Sequence, residues 1–249
     1  MKEIQHNTSE QVQHAREEIL KLFKVCEIPD NEFLQNIHLF LGPMVLKKLL
    51  FLNELYQKAM GIQGSIIEFG VRWGPNMAIF HALRTLYEPF NYARRIIGFD
   101  TFEGFPSVHQ KDGKGHLIGE GELSVTPGYE EYLAEILQAR EQEAPVSNLN
   151  KFELVKGDVL NSLPDYLDKH GEMIISLAYF DLDIYSPTLH CLEQIKDRLS
   201  LGSILAFDEL NLDQFPGETE AVREFFAGKA RIHRSPHSQN QAYIIWGER

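Results

Sequence analysis

At 249 residues, 43% of them hydrophobic and 24% charged, the chain has the composition of an ordinary globular protein, with room for one large α/β domain and a helical appendage. Its 24 lysines and arginines against 36 acids give a formal net charge of −12, and no basic cluster exceeds short pairs such as Lys47-Lys48 and Arg94-Arg95, which excludes nucleic acid as a partner. The two distant cysteines, Cys26 and Cys191, read as reduced thiols, the amino terminus lacks the apolar core of a signal peptide, and the greasiest stretch, MVLKKLLFL, is too short to span a bilayer; a cytoplasmic protein with no membrane partner is expected.

Residues 1 to 8 read as frayed. From Ser9 onward, Val12, Ala15, Ile19, Leu22, Phe23 and Cys26 recur at three- and four-residue steps, the pattern of one helix face. Ile28-Pro29-Asp30 ends that helix. A second helix is expected from Pro43 to about Ala59, and its apolar residues cover more than one face, which predicts burial on two sides. Residues 1–60 thus form an N-terminal helical extension, serving packing, a lid or an oligomer contact, and residues 61–249 form the main domain.

That domain opens on SIIEFGVRWGPNMAIFHAL. Ser65 to Phe69 reads as a buried strand, Gly70 and Gly74 frame a turn, and Pro75 stands at a first helical position. Strand, glycine turn and helix make the first half of a nucleotide-binding βαβ unit. Glu68, two residues before Gly70, would repel a pyrophosphate, and the turn lacks G-x-G-x-x-G, so a nicotinamide dinucleotide does not fit. S-adenosylmethionine, with an amine and hydroxyls but no phosphate, does.

Next, Arg95 to Phe99 reads as a second strand ended by Asp100, where an acid accepts hydrogen bonds from ribose hydroxyls. The polar, glycine-rich segment from Thr101 to Pro127 is too long for a simple connection and reads as a lid or binding loop. It carries His109 and His116, with Tyr129 beside it, as candidate substrate contacts. A helix over 129–143, a strand over 152–156 closed by Gly157-Asp158, and a short helix over 163–170 follow. MIISLAYFDLD is the most apolar strand and should be central. Pro187 starts the next helix. Ser203 to Phe207 is a fifth strand ended by Asp208-Glu209, a helix covers about 217–227, and two closing strands lie near 230–233 and 241–246, the last pairing antiparallel at an edge.

Seven strands alternating with helices predict an α/β, Rossmann-like, mostly parallel seven-stranded sheet with acids gathered at one edge. Two tasks divide those acids. Glu68 is assigned near the methionine portion of the cofactor, Asp100 at its ribose and Asp158 near its adenine amine. Gly70, Arg72, Trp73, Thr101, Phe102, Val159 and Asp181 stand beside these acids or at the same strand ends and complete the expected cofactor site. Asp181, Asp183, Asp208 and Glu209 follow neighbouring strands about 5 Å apart, and such crowding calls for a divalent cation, with Mg²⁺ favoured by hard oxygen ligands. The expected ligands are Asp181, Asp208 and Glu209, with Asp181 or Asp183 as the base that deprotonates an alcohol. Two blander roles compete: Asp183 as cap of the following helix, and Glu209 as partner of an arginine such as Arg223.

EFGVRWG, GFDTFEGFP, KGDV, AYFDLDIYSPT and AFDELN…FPGETEA resemble the macrocin O-methyltransferase-like family of sugar O-methyltransferases, in its calicheamicin rhamnosyl O-methyltransferase type. The resemblance runs from about residue 40 to 249. It implies a class I S-adenosylmethionine-dependent methyltransferase acting on a deoxysugar hydroxyl, metal-assisted and homo-oligomeric, with the metal acids on Asp181, Asp208 and Glu209. Many relatives have Asp-Asp where this chain has Asp208-Glu209, and its opening turn is sparser in glycine. The competing expectations are an O-methyltransferase of phenols or other small hydroxylated metabolites, and a non-catalytic cofactor-binding assembly protein.

Overall fold

The computed structural model describes residues 9–238 and 240–248; the first eight residues, Gln239 and Arg249 lie outside the described residues. Helices α1 (Glu10–Lys24), α2 (Asp30–Asn36) and α3 (Pro43–Ala59) precede strand β1 (Ser65–Phe69). Then come α4 (Pro75–Tyr87), β2 (Ile96–Asp100), α5 (Tyr129–Glu143), β3 (Phe152–Lys156), α6 (Val159–Lys169) and β4 (Ile175–Phe180). The chain closes through α7 (Tyr185–Ile195), β5 (Leu199–Phe207), α8 (Pro216–Phe226), β6 (Ile232–Arg234) and β7 (Ala242–Ile245).

The strands form one sheet in the order β3-β2-β1-β4-β5-β7-β6. The first five in that order run parallel, while β7 is antiparallel to both β5 and β6. The uniformly apolar β4 takes the central place, as its composition predicts. β7, however, lies inside the sheet and β6 is the edge, because Ala242–Ile245 is apolar enough to be covered whereas Ile232–Arg234 is largely exposed. The carboxyl ends of β1 and β4 adjoin where the winding reverses, and a crevice opens there.

Strand period divides the core in two. Ile67, Phe69, Ala178 and Phe180 face α6, α7 and α8. Ile66, Leu177, Tyr179, Ile204 and Ala206 face α3, α4 and α5. Glu68 shares parity with Ile66, Asp100 with Ile96, and Asp208 with Ala206, so all three carboxylates leave the sheet on the side of α3 and α4. Phe51, Leu52, Leu55, Tyr56 and Ala59 of α3 are buried there, but Leu46 and Leu50 are exposed and α1 buries no residue. The expected burial of α3 on two sides therefore holds for one side, because no described element covers its other face. Helix α2 went unread in the sequence: its seven residues are too few to show a period.

Candidate functional site

A cavity of about 570 Å³ lies at the β1–β4 reversal. Gly70 makes the turn possible. Its φ is +87°, and a Cβ there would stand 1.8 Å from the Asp181 carbonyl oxygen, so the β1 and β4 ends close on each other only around a glycine. Gly74, also left-handed, precedes Pro75 at the first position of α4.

On the β1–β2–β3 side, Asp100 is held by two backbone donors: the Arg72 amide at 2.7 Å from Oδ2 and the Phe102 amide at 2.6 Å from Oδ1. Arg72 and Phe102 both have positive φ, so each amide is bent back onto the carboxylate. Thr101 donates to the Gly104 carbonyl at 2.7 Å and accepts from the Glu103 amide, which braces the turn. Asp158 caps α6, accepting from the Leu160 amide at 3.0 Å, and Val159 is the first helical residue. The sequence-based start of α6 at Leu163 was late because Asp158 reads equally as a strand end and as a helix cap. Trp73 stands edge-on to Tyr129, centroids 4.7 Å apart, and its carbonyl accepts from the Tyr129 hydroxyl. Gly70, Arg72, Trp73, Asp100, Thr101, Asp158 and Val159 all line the cavity. Phe102 and Glu68 do not: Phe102 is buried beside Asp100, and Glu68 lies behind the wall, accepting from Asn76 Nδ2 at 2.9 Å.

Asp181, Asp183, Asp208 and Glu209 line the opposite wall of the same cavity. One carboxylate oxygen from each of Asp181, Asp208 and Glu209 lies within 4.8 Å of the others. Asp208 Oδ1 accepts from the Lys48 ammonium, the Tyr179 hydroxyl and, at 3.3 Å, the Gln241 amide. Lys48 Nζ is also 3.6 Å from Asp181 Oδ2, and Asn76 Nδ2 donates to that oxygen at 3.4 Å. Glu218, fully buried on α8, ties the two acid loops together by accepting from the Leu182 amide at 3.2 Å and the Glu209 amide at 3.1 Å.

Burial, then the charge of Asp208, pushes Asp181 up to about 8. Burial also lifts Asp183 to about 6, against a hydrogen bond from Glu209. Glu209 is raised well above its ordinary range by burial and then by Asp208, Asp183 and Asp181. Asp208 differs: burial would raise it, but the Lys48 charge and the hydrogen bonds from Glu209, Lys48 and Tyr179 hold it below the usual carboxylate value. Glu209 Oε2 is buried without a partner among the described residues. Three crowded carboxylates and an orphaned oxygen fit a hard dication.

The two blander roles fail on geometry. The N-cap of α7 is Ile184, with no side-chain cap, so Asp183 caps nothing; at φ +62° it turns back toward the other acids. Arg223 pairs with Glu220 at 2.9 Å, away from Glu209.

The model of one protein family, macrocin-O-methyltransferase (TylF), matches residues 46–236. The chain belongs to that family. This methyltransferase is also similar to solved structures. One is the calicheamicin methyltransferase CalS11, at 38% identity and TM-score 0.94, covering 100% of this chain and 99% of that one. The apo form of CalS11, described as a TDP-rhamnose 3'-O-methyltransferase of calicheamicin biosynthesis, matches at 36% identity and TM-score 0.86 over 98% and 97% of the two chains. The demethylated-cofactor-bound (SAH) methyltransferase of Podospora anserina, at 15% identity and TM-score 0.50 over 100% of both chains, shares the fold. No curated protein sequence matches the chain. The family and the CalS11 likeness make the chain an O-methyltransferase enzyme of α/β, Rossmann-like fold.

In this methyltransferase the long segment after β2 is pinned at its middle. Asp112, fully buried, accepts from the amides of His109 and Tyr185, each at 2.6 Å, and Gly217 of α8 packs against its carboxylate. His109 lies tilted against the Tyr185 ring, 5.0 Å between centroids, and neither His109 nor His116 lines the cavity. Lys48, Asn76, Tyr179 and Glu218 escaped the sequence reading. Lys48 and Tyr179 sit in stretches that read as plain helix and core strand; Glu218 alone left a trace, as an acid in the first turn of a helix inside FPGETEA.

Proposed function

We propose that this O-methyltransferase moves the methyl group of S-adenosylmethionine to a hydroxyl of a deoxysugar, carried as a nucleotide sugar or a glycoside, with Mg²⁺ or another divalent cation at the acid cluster. The observation that carries the reading is the meeting, in one cavity, of Asp100 and Asp158 with Asp181, Asp183, Asp208 and Glu209. The family and the rhamnose acceptor of the relative that is 36% identical support a deoxysugar.

Asp100, with both oxygens aimed by backbone amides, keeps lone pairs for two ribose hydroxyls. Asp158 and Val159 stand where the adenine amine is read, and Arg72, Trp73, Thr101 and Phe102 shape that flank. Asn76 lines the cavity with its Oδ1 unpartnered among the described residues, and with Asp181 it makes an acceptor group for the methionine ammonium, while Glu68 behind the wall holds the Asn76 Nδ2 at 2.9 Å and so aims that oxygen. Asp181, Asp208 and Glu209 hold the cation, which when bound supplies Lewis-acid activation of an alcohol oxygen. Asp181 or Asp183 takes the hydroxyl proton; Asp183, lifted to about 6, is still largely ionised at neutral pH and yet a stronger base than an ordinary carboxylate. Orienting the alcohol in line with the sulfonium supplies much of the remaining acceleration.

As in the resemblance drawn above, the reading includes a second copy of the chain as partner. The exposed Leu22, Leu34, Leu39 and Met44 of the N-terminal helices support it, and light scattering coupled to size exclusion measures it. Donor and acceptor are small and water-soluble, which suits a cytoplasmic site of action. The test of the reaction is formation of the demethylated cofactor with deoxysugar and catechol acceptors side by side, with and without chelator. Catechol turnover without sugar turnover, or calorimetry showing no affinity for S-adenosylmethionine or its product, refutes it.

A further inference from the structure

We infer that Lys48 is a built-in counter-cation of the acid cluster and competes with the divalent cation for it, so that loading the site displaces an ammonium from Asp208 and Asp181. The inference rests on the metal reading above and says what that reading must contend with in this chain.

Lys48 reaches the cluster from α3, an element that precedes the whole sheet. Its ammonium hydrogen-bonds Asp208 Oδ1 and lies 3.6 Å from Asp181 Oδ2, thus engaging two of the three carboxylates whose oxygens converge within 4.8 Å. Among the described residues no other lysine or arginine forms an ion pair with Asp181, Asp183, Asp208 or Glu209. The ammonium also lies 4.9 Å from the centre of the Tyr179 ring, whose hydroxyl donates to the same Asp208 oxygen. Asp208 Oδ1 thereby accepts three donors, counting Gln241, and has no room for a fourth partner.

A dication bound through Asp208 and Asp181 would stand within a few ångströms of that ammonium. Like charges so close in a half-buried site repel strongly, and with Oδ1 taken by three donors Asp208 has only its Oδ2 to offer a metal while Lys48 stays. One cation must therefore leave, and Lys48 is built to do so. Its stem is flexible, its side chain keeps 23% of its surface exposed, and Met44 and Val45 from the preceding turn line the same cavity, offering apolar surface to a withdrawn stem.

The test is Mn²⁺ affinity of the full chain without cofactor, read from the electron paramagnetic resonance signal of free Mn²⁺. Lys48→Met should bind Mn²⁺ at least tenfold more tightly than the unaltered chain, Lys48→Gln should behave alike, and Lys48→Arg, which keeps the charge, should stay near the unaltered value. Mn²⁺ should also raise the melting temperature of Lys48→Met more than that of the unaltered chain. In the unaltered chain, Mg²⁺ titration should shift one lysine Cε signal by NMR, which needs no substitution. If the neutral variants bind Mn²⁺ no more tightly than the unaltered chain, or no lysine signal moves as Mg²⁺ binds, the competition is wrong and the metal site stands. If neither the unaltered chain nor any variant binds Mn²⁺ at millimolar concentration, both readings fall.

Discussion

Replacing Gly70 with alanine tests the joint on which the site depends. A Cβ would sit 1.8 Å from the Asp181 carbonyl oxygen and 2.6 Å from its carbon, whereas a relaxed carbon–oxygen contact needs about 3.3 Å. The β1 and β4 ends would have to part by about 1.5 Å, given that spacing. One hydrogen bond crosses this joint, Asp181 N–H to the Phe69 carbonyl at 2.8 Å, and a second, Gly70 N–H to the Phe99 carbonyl at 2.9 Å, holds the same end of β1 to β2, so that moving this end strains both. Stranding each costs about 1–3 kcal/mol, and holding alanine at φ +87° adds about 1–2 kcal/mol. The expected loss is about 5 kcal/mol, a large part of the roughly 5–15 kcal/mol that keeps a domain folded. Gly128→Ala is the control: its φ is +77° and nothing lies within 4 Å of its Cβ position, so only the backbone cost of about 1–2 kcal/mol applies. Urea denaturation of both variants measures the difference, and calorimetry with S-adenosylmethionine should show Gly70→Ala losing affinity as Asp181 shifts. If the two variants unfold within about 1 kcal/mol of each other, a spread within ordinary mutational scatter, the tight joint is not what orders the cavity.

Asp208→Asn should abolish chelator-sensitive turnover and lower Mn²⁺ affinity by more than the roughly 10–100-fold typical of losing an outer partner; turnover indifferent to both substitution and chelator would count against the metal. Because Asp181 and Asp183 are raised to about 8 and about 6 from an unfolded value near 3.9, the folded metal-free chain keeps protons that the unfolded chain has lost. Their contribution to stability is complete below about pH 4 and falls as pH rises through both values. The melting temperature of the metal-free chain should therefore decline from about pH 5 to 9, with the upper part flattened in Asp181→Asn, and a rise over that range would contradict the assignment. On the far side of α4, fully buried Glu141 accepts from Arg84 at 3.2 Å, pairs with Lys151 and lies 3.4 Å from His81. Glu141→Ala strands the Arg84 and Lys151 cations and should cost about 3–5 kcal/mol in urea unfolding, and a loss below about 1 kcal/mol would show the network to be dispensable.

Local punctuation carried much of the fold. β1, β3, α3 and α5 have the bounds that their glycines, prolines and apolar runs suggest, and acids at strand ends marked one rim because parallel strands bring their carboxyl ends together. What stayed hidden depends on contacts between distant elements. Lys48 meets Asp208 across 160 positions of chain, and only the packing of α3 over β4 and β5 brings them together. Tyr179 reads as one more apolar residue of the central strand, and its hydroxyl matters only because Asp208 stands on the next strand at the same face. The position of β7 was missed for a related reason: four apolar residues do not say which strand will cover them.

The buried carboxylate of Asp112 has a consequence for how such enzymes diverge. With residues 101–128 fastened at that point to the starts of α7 and α8, the excursion doubles back as two arms, and these are stitched together by Phe105 N–H to the Glu122 carbonyl at 3.2 Å and Gly121 N–H to the Phe105 carbonyl at 2.9 Å, so a change in one arm is felt by the other. Both contribute cavity wall, Phe105 and Pro106 from the first and Leu117 and Leu123 from the second. Lengthening such a segment costs little, about 0.6 kcal/mol per doubling. A lineage that meets a differently shaped guest must therefore exchange the two arms together, while the sheet beneath keeps its place.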